Sequence, residues 1–140
     1  MTYVLDAFAL VALGRGERAA ADVEALLRRG SAVVVATNLA EALDVLHRVH
    51  GRSLASLRQA FALLLEETVQ VLPATTEIAW RAAELRGRHY RRRDAQLSLA
   101  DCVALAAASE RDPIVTADPA LIQAATAEGF GVVELPRSSA

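Results

Sequence analysis

Short apolar runs alternate with longer stretches of helical periodicity along the whole chain. Tyr3-Val4-Leu5-Asp6 is a β-prone run, followed by a brief apolar helix over Ala7 to Leu13 that ends near Gly14 and Gly16. Glu17 to Arg29 reads as a helix stopped by Gly30. Ala32 to Ala36 (AVVVA) is apolar without alternation, as expected of a strand buried on both faces of a parallel sheet. Asn38 starts a helix with Leu39, Leu43 and Leu46 on one stripe, ending at Gly51. Ser53 starts another, carrying Leu54, Leu57, Phe61, Leu64 and Leu65. Val69 to Pro73 is a third strand, and Thr75 or Thr76 opens a helix with Ile78, Ala82 and Leu85 inward. Gly87 to Leu97 (GRHYRRRDAQL) reads as an exposed polar loop. Ser98 to Glu110 is a helix apolar on nearly every side, hence central. Ile114-Val115-Thr116 is a fourth strand, Asp118-Pro119 starts a helix ending at Gly129, and Val132 to Leu135 forms an edge strand before the tail from Arg137 to Ala140. Strands alternating with helices predict an α/β fold. Its centre is a mostly parallel sheet of four to five strands, flanked by helices in a single domain over 1–140.

Composition narrows the chemistry. Apolar residues make up 54% of the 140 residues, enough for a core, and the net charge of −2 argues against a polybasic coat for nucleic acid. All 15 basic residues are arginine, so there is no P-loop lysine and no Schiff-base lysine. The single cysteine, Cys102, excludes an internal disulfide and a cysteine-ligated zinc, and reads as a small core residue. No basic region followed by a long apolar stretch opens the chain, and no apolar run approaches the ~20 residues of a membrane span. A soluble cytoplasmic protein is the expectation.

In a parallel α/β sheet, ligands gather beyond the carboxyl ends of the strands. Asp6 ends the first strand, Glu41 lies in the first turn of the helix after the second, Asp101 in the first turn of the central helix, and Asp118 just past the fourth strand. Each also reads as a capping residue: Asn38-x-x-Glu41 is a capping-box pattern, Ser98-x-x-Asp101 resembles one, and Asp118-Pro119 is an N-cap followed by proline. Together they form something else. Asp6 and Asp101 sit in almost wholly apolar stretches, burying a carboxylate costs several kcal/mol unless it is paired, and no lysine is available. Four carboxylates without fixed cations suit a hard cation, Mg²⁺ or Mn²⁺.

The segments Tyr3-Val4-Leu5-Asp6, Asn38-Leu39-Ala40-Glu41, Leu97-Ser98-Leu99-Ala100-Asp101 and Thr116-Ala117-Asp118 resemble the four acidic motifs of PIN-domain nucleases. In size and layout the match is to the VapC-type toxins of bacterial toxin–antitoxin modules, over residues 3 to about 135. The resemblance implies a three-layer PIN fold and Mg²⁺- or Mn²⁺-dependent endonucleolytic cutting of RNA. It also implies neutralisation by a small VapB-like antitoxin. Asp6, Glu41, Asp101 and Asp118 would then be the catalytic acids. Asp6 and Asp101 would contact metal, with Asp118 completing the set, and Thr116 and Asn38 would support them. A divalent ion supplies phosphodiester hydrolysis with an activated water and a screened phosphate. The first motif departs from the family pattern at Phe8, where Ser or Thr is usual. The alternative is accordingly a PIN-like module that binds RNA or protein without cutting.

The remaining candidates have lesser claims. Arg91, Arg92 and Arg93 form the one basic cluster, either a solvated loop or a contact to RNA phosphates, with Tyr90 beside it for stacking. His47 and His50 read as complements to a helix C-terminus rather than as metal ligands. Trp80 reads as packing. The leucine-rich face shared by the helices over 38–50 and 53–67 is either simple core or a groove for a second copy or an antitoxin; a homodimer is expected.

Overall fold

The computed structural model describes residues 1–137; Ser138 to Ala140, the end of the expected tail, lie outside the described residues. Five strands form one sheet in the order β3-β2-β1-β4-β5. They are β1 (Thr2–Leu5), β2 (Ser31–Val35), β3 (Val69–Leu72), β4 (Ile114–Thr116) and β5 (Val132–Glu134). Every pairing is parallel, as the unalternated apolar runs predict, with Val4 beside Val33 on one flank and Ile114 on the other.

Helices cover both faces. Leu5, Val34 and Val115 point into a core built with α1 (Ala7–Arg15), α2 (Ala20–Arg29), α3 (Ala36–Asp44) and α4 (Leu54–Leu63). Val4 and Ile114 point the other way, into a core with α5 (Thr76–His89), α6 (Leu99–Ala107) and α7 (Pro119–Ala127). The result is the three-layer α/β arrangement expected from the alternation of elements. Gly16 closes α1 in the left-handed region at φ 63°, donating to the carbonyls of Ala12 and Leu13. Gly30 is required by crowding instead, since a Cβ there would stand 2.5 Å from the Met1 carbonyl oxygen. No helix among the described residues is long and apolar enough to cross a membrane.

Three expectations about element ends are corrected. The helix after β2 starts at Ala36, not at Asn38, and no side chain caps it. Asn38 therefore lies inside α3, where its Nδ2 donates to the Ala100 carbonyl at 2.9 Å, and Glu41 falls in the second turn. The segment expected as a loop from Gly87 to Leu97 is helical through His89. Arg88 (3.0 Å) and His89 (2.5 Å) both reach Glu128 at the end of α7, and this contact carries the helix past its glycine. The central helix stops at Ala107 rather than Glu110, where Arg81 Nη1 takes the terminal carbonyls of Ala106 (3.2 Å) and Ala108 (3.4 Å).

α3 and α4 each end in one wide π-helical turn, Val45–Val49 and Leu64–Thr68. Trp80, expected in the packing, is 76% exposed on the outer face of α5. His47 is held by its Nδ1 to the Arg52 carbonyl (2.6 Å) and His50 forms the end of the helix, in keeping with the terminal role read for them. Cys102 is a buried core residue, its thiol pushed up to about 11 by burial.

A candidate acidic site at the carboxyl edge of the sheet

β1 lies between β2 and β4, so the chain leaves it toward one flank and returns on the other; this is the switch point at which open parallel sheets bind ligands. Asp6 follows β1 directly. Its backbone N–H donates to Val115 O (3.2 Å), and its carboxylate caps α1 by accepting from Ala9 N (2.9 Å). The side chain is only 2% exposed. Burial pushes its pKa up to about 6, with Asp118 and Glu41 adding repulsion, while the Thr116 hydroxyl and the Ala9 N–H pull it down.

Thr116, fully buried at the end of β4, uses its hydroxyl twice: it accepts from Asp118 N (3.0 Å) and bonds the Asp6 carboxylate. Asp118 caps α7 through Ala120 N (3.0 Å), with Pro119 in the first helical position. Asp101 enters from the other layer, on the first turn of α6. That turn is fixed by Ser98, whose hydroxyl accepts from Asp101 N at 3.0 Å. Its pKa is pushed up to about 8 by burial first, then by a side-chain hydrogen bond and repulsion from Asp118, with Asp6 contributing. A hydrogen bond between two carboxyl groups requires a proton on one of them. Three acids thus converge where β1, β4, α6 and α7 meet.

Glu41 stands at the rim. It is exposed, and its pKa is raised by partial burial and by Asp44 on its own helix. Asn38 ties α3 to the start of α6, and its Oδ1 is buried without a hydrogen-bond partner among the described residues. No described contact joins Arg91, Arg92 or Arg93 to the acids. Arg91 turns back onto the carbonyls of Arg88 (3.2 Å) and Tyr90 (2.9 Å) at the end of α5.

The donor set is all oxygen, the kind that hard divalent cations take. Among the described residues no three His, Cys, Asp or Glu side chains stand together as a ready-made metal-binding group. Asp6, Asp101 and Asp118 instead repel one another across the site, a repulsion that a cation would relieve. In that sense the residues fit a hard cation.

Sequence reasoning found the acids but missed the neighbourhood of Asp118. A hollow of about 360 Å³ beside it is lined by Phe8, Ala117, Pro119 and Arg137. Phe8 was visible only as a departure from a motif, and Arg137 carried no signal at all.

The fold agrees with comparisons to known proteins. The chain is similar to VapC20 of Mycobacterium tuberculosis, described as a sarcin-ricin loop cleaving toxin, at 21% identity and TM-score 0.71 over 96% of this chain and 99% of that one. It is similar to FitAcB of Neisseria gonorrhoeae at 18% identity and TM-score 0.63, over 96% and 97%. It is also similar to VapBC2 of Rickettsia felis, solved with a DNA fragment from its promoter, at 15% identity and TM-score 0.62, over 97% and 100%. At these identities the likeness concerns the fold. No curated relative matches by sequence. The PIN domain profile matches residues 3–127, and the chain belongs to the PIN domain family.

Proposed function

We propose that the protein is a divalent-metal-dependent endoribonuclease serving as the toxin of a VapBC-type module. The observation that carries this reading is the convergence of Asp6, Asp101 and Asp118 at the sheet's switch point, two of them with strongly raised proton affinity. Asp6, Asp101 and Asp118 would hold Mg²⁺ or Mn²⁺, which supplies an activated water and screens phosphate charge. Thr116 orients Asp6 and Asp118 through its two hydrogen bonds, and Asn38 fixes the start of α6 that delivers Asp101. Glu41 at the rim is placed to accept a proton from water arriving from solvent. The test is cleavage of single-stranded and structured RNA with Mg²⁺, Mn²⁺ or EDTA. Products with 5′-phosphate and 3′-hydroxyl ends are expected. Cleavage that persists in EDTA, or 2′,3′-cyclic phosphate ends, refutes it. RNA binding without cleavage under every metal assigns the non-cutting reading instead.

Two surfaces suit protein partners. A hollow of about 420 Å³ between α3 and α4, lined by Leu43, Leu54, Leu57, Phe61 and Leu65 with Arg58 among them, fits the apolar face of an antitoxin helix or extended segment. Amide exchange in both helices should slow when the antitoxin binds. The outer face of α5 fits a second copy of the chain. Trp80 projects from it, and one turn further on Ala83 and Gly87 border a hollow of about 410 Å³ closed by Tyr90 and Leu99. Gly87 costs the helix about 1 kcal/mol, and a Cβ there would meet nothing within the chain. An antiparallel pair centred between Ala83 and Glu84 sets each Trp80 over the partner's Gly87. The same register brings each Glu77 toward the partner's Tyr90 and Arg91 in an isologous contact.

A further inference from the structure

The hollow beside Asp118 has its own chemistry. Phe8 rises from the first turn of α1, where it packs partly into the core and partly lines the hollow. Ala117 and Pro119 give the floor from the turn between β4 and α7. Arg137 arrives from the segment after β5, and its approach is fixed two residues earlier: Leu135 is buried and donates its N–H to Thr116 O at 2.8 Å. Backbone pairing to the same threonine that orients Asp6 and Asp118 therefore delivers Arg137 to the rim.

Among the described residues, no ion pair or hydrogen bond is made by the Arg137 side chain. Two half-buried arginines on α5 are already committed. Arg86 donates to Leu97 O (3.1 Å) and lies 4.7 Å over Tyr90, while Arg81 caps α6. A strand of phosphates approaching Asp6, Asp101 and Asp118 meets repulsion from carboxylates, and Arg137 is placed to offset it. The walls are an aromatic ring and small apolar groups, with one cation and one acid at the edge. A volume of about 360 Å³ lies within the roughly 300–1,000 Å³ of small-molecule sites.

We infer that this hollow is a nucleotide subsite next to the scissile bond: Phe8 stacks on a base and Arg137 binds the adjoining phosphate of the RNA strand. The inference rests on the ribonuclease reading, and it makes Phe8 a determinant of which residue flanks the cut. Aromatic stacking is sequence-tolerant but favours larger bases, and an arginine fork suits phosphate.

The test uses Phe8→Leu, Phe8→Tyr and Arg137→Ala, each in the wild-type background and together with Asp101→Asn. Phe8→Leu keeps apolar bulk and removes the ring; Phe8→Tyr keeps the ring and serves as the folding-safe control. A 12-nucleotide single-stranded RNA carrying 5′-fluorescein is the binding probe. Phe8→Leu is expected to weaken binding roughly 5- to 100-fold, with Phe8→Tyr near wild type. Arg137→Ala should lower the slope of log affinity against log salt by about 0.7. In cleavage, the larger part of each loss should fall on KM, and the preference at one position beside the cut should change. If the wild type cuts RNA and the variants keep its affinity, salt slope and cut sites, the subsite is overturned while the nuclease stands. If the wild type cuts nothing, the nuclease reading fails, and the binding arm still decides the subsite. Tighter RNA binding by Arg137→Ala would mean that the Arg137 side chain obstructs the hollow instead of holding a phosphate there. Loss of antitoxin binding with unchanged RNA binding would give the hollow to the protein partner. Either result overturns the inference.

Discussion

Replacing Asp101 by Asn removes one charge at nearly constant shape, and the structure sets what should follow. Asp101 has its pKa raised from 3.8 to about 8, so near neutral pH it keeps most of its proton in the folded chain while the unfolded chain has lost it. The folded state then binds more protons than the unfolded state between about pH 4 and 8, so stability falls as pH rises through that range. Holding the proton from 3.8 up to pH 7 gives a ceiling of about 4 kcal/mol at 1.36 kcal/mol per pH unit. Asp101 is only partly buried, and solvent screening brings the expected figure to ~1–3 kcal/mol. The Asn side chain can donate to Asp118 at every pH, as the protonated acid does. Urea denaturation in EDTA at pH 4, 5, 6, 7 and 8 should therefore give curves that coincide at pH 4 and diverge above it. Asp101→Asn should be more stable by ~1–3 kcal/mol at pH 7, or roughly 3–8 °C in Tm. Mg²⁺ should narrow the gap by binding the wild type and not the variant. Parallel curves, or equal stabilisation of both proteins by Mg²⁺, would refute the reasoning and remove Asp101 from the metal set.

Thr116→Val should cost about 1–2 kcal/mol and raise the Asp6 pKa above about 6, read by carboxyl NMR titration, because the hydroxyl that favours the ionised acid is lost. A fall in that pKa would contradict the assigned hydrogen bond. Changing Arg92 and Arg93 together to Ala should lower the salt slope of RNA binding by about 1.4 if both contact phosphates. Arg91→Ala should instead loosen the end of α5, since Arg91 is bound to the carbonyls there; circular dichroism melts separate the two effects. Trp80→Glu should shift sedimentation from dimer to monomer, and an unchanged mass would exclude the α5 face as the contact.

The fold was legible because its signals are local. The strands are short and largely apolar, and Asp6 and Asp118 each follow one, so their meeting needed only the rule for parallel sheets. Asn38 was misread for the opposite reason. Its pattern with Glu41 is that of a capping box, but its partner is the carbonyl of Ala100, 62 positions away. Gly87 looked like a break until Glu128 of α7 was seen holding Arg88 and His89. Trp80 was assigned to packing because no motif accompanies it, and only the structure shows the face left open. The Phe8–Arg137 hollow joins the two extremes of the chain, and no window along the sequence contains both.

The strand order has a consequence for how the protein is made. β1 sits at the centre of the sheet, and one of its two neighbours is β4, which begins at Ile114 and is made well after it. Asp6 therefore waits for Thr116 and Asp118 while the residues between them are added, on the order of 10 s at the usual rates of synthesis. A nascent chain that has passed Glu41 still lacks both later acids, and the paired groups that would hold a cation do not yet exist. Long-range parallel pairing of this kind also folds late and slowly. For the proposed toxin this topology would act as a timer. The proposed nuclease would not switch on before Asp118 has been made, which would leave an interval in which an antitoxin could meet the α3–α4 surface as it emerges.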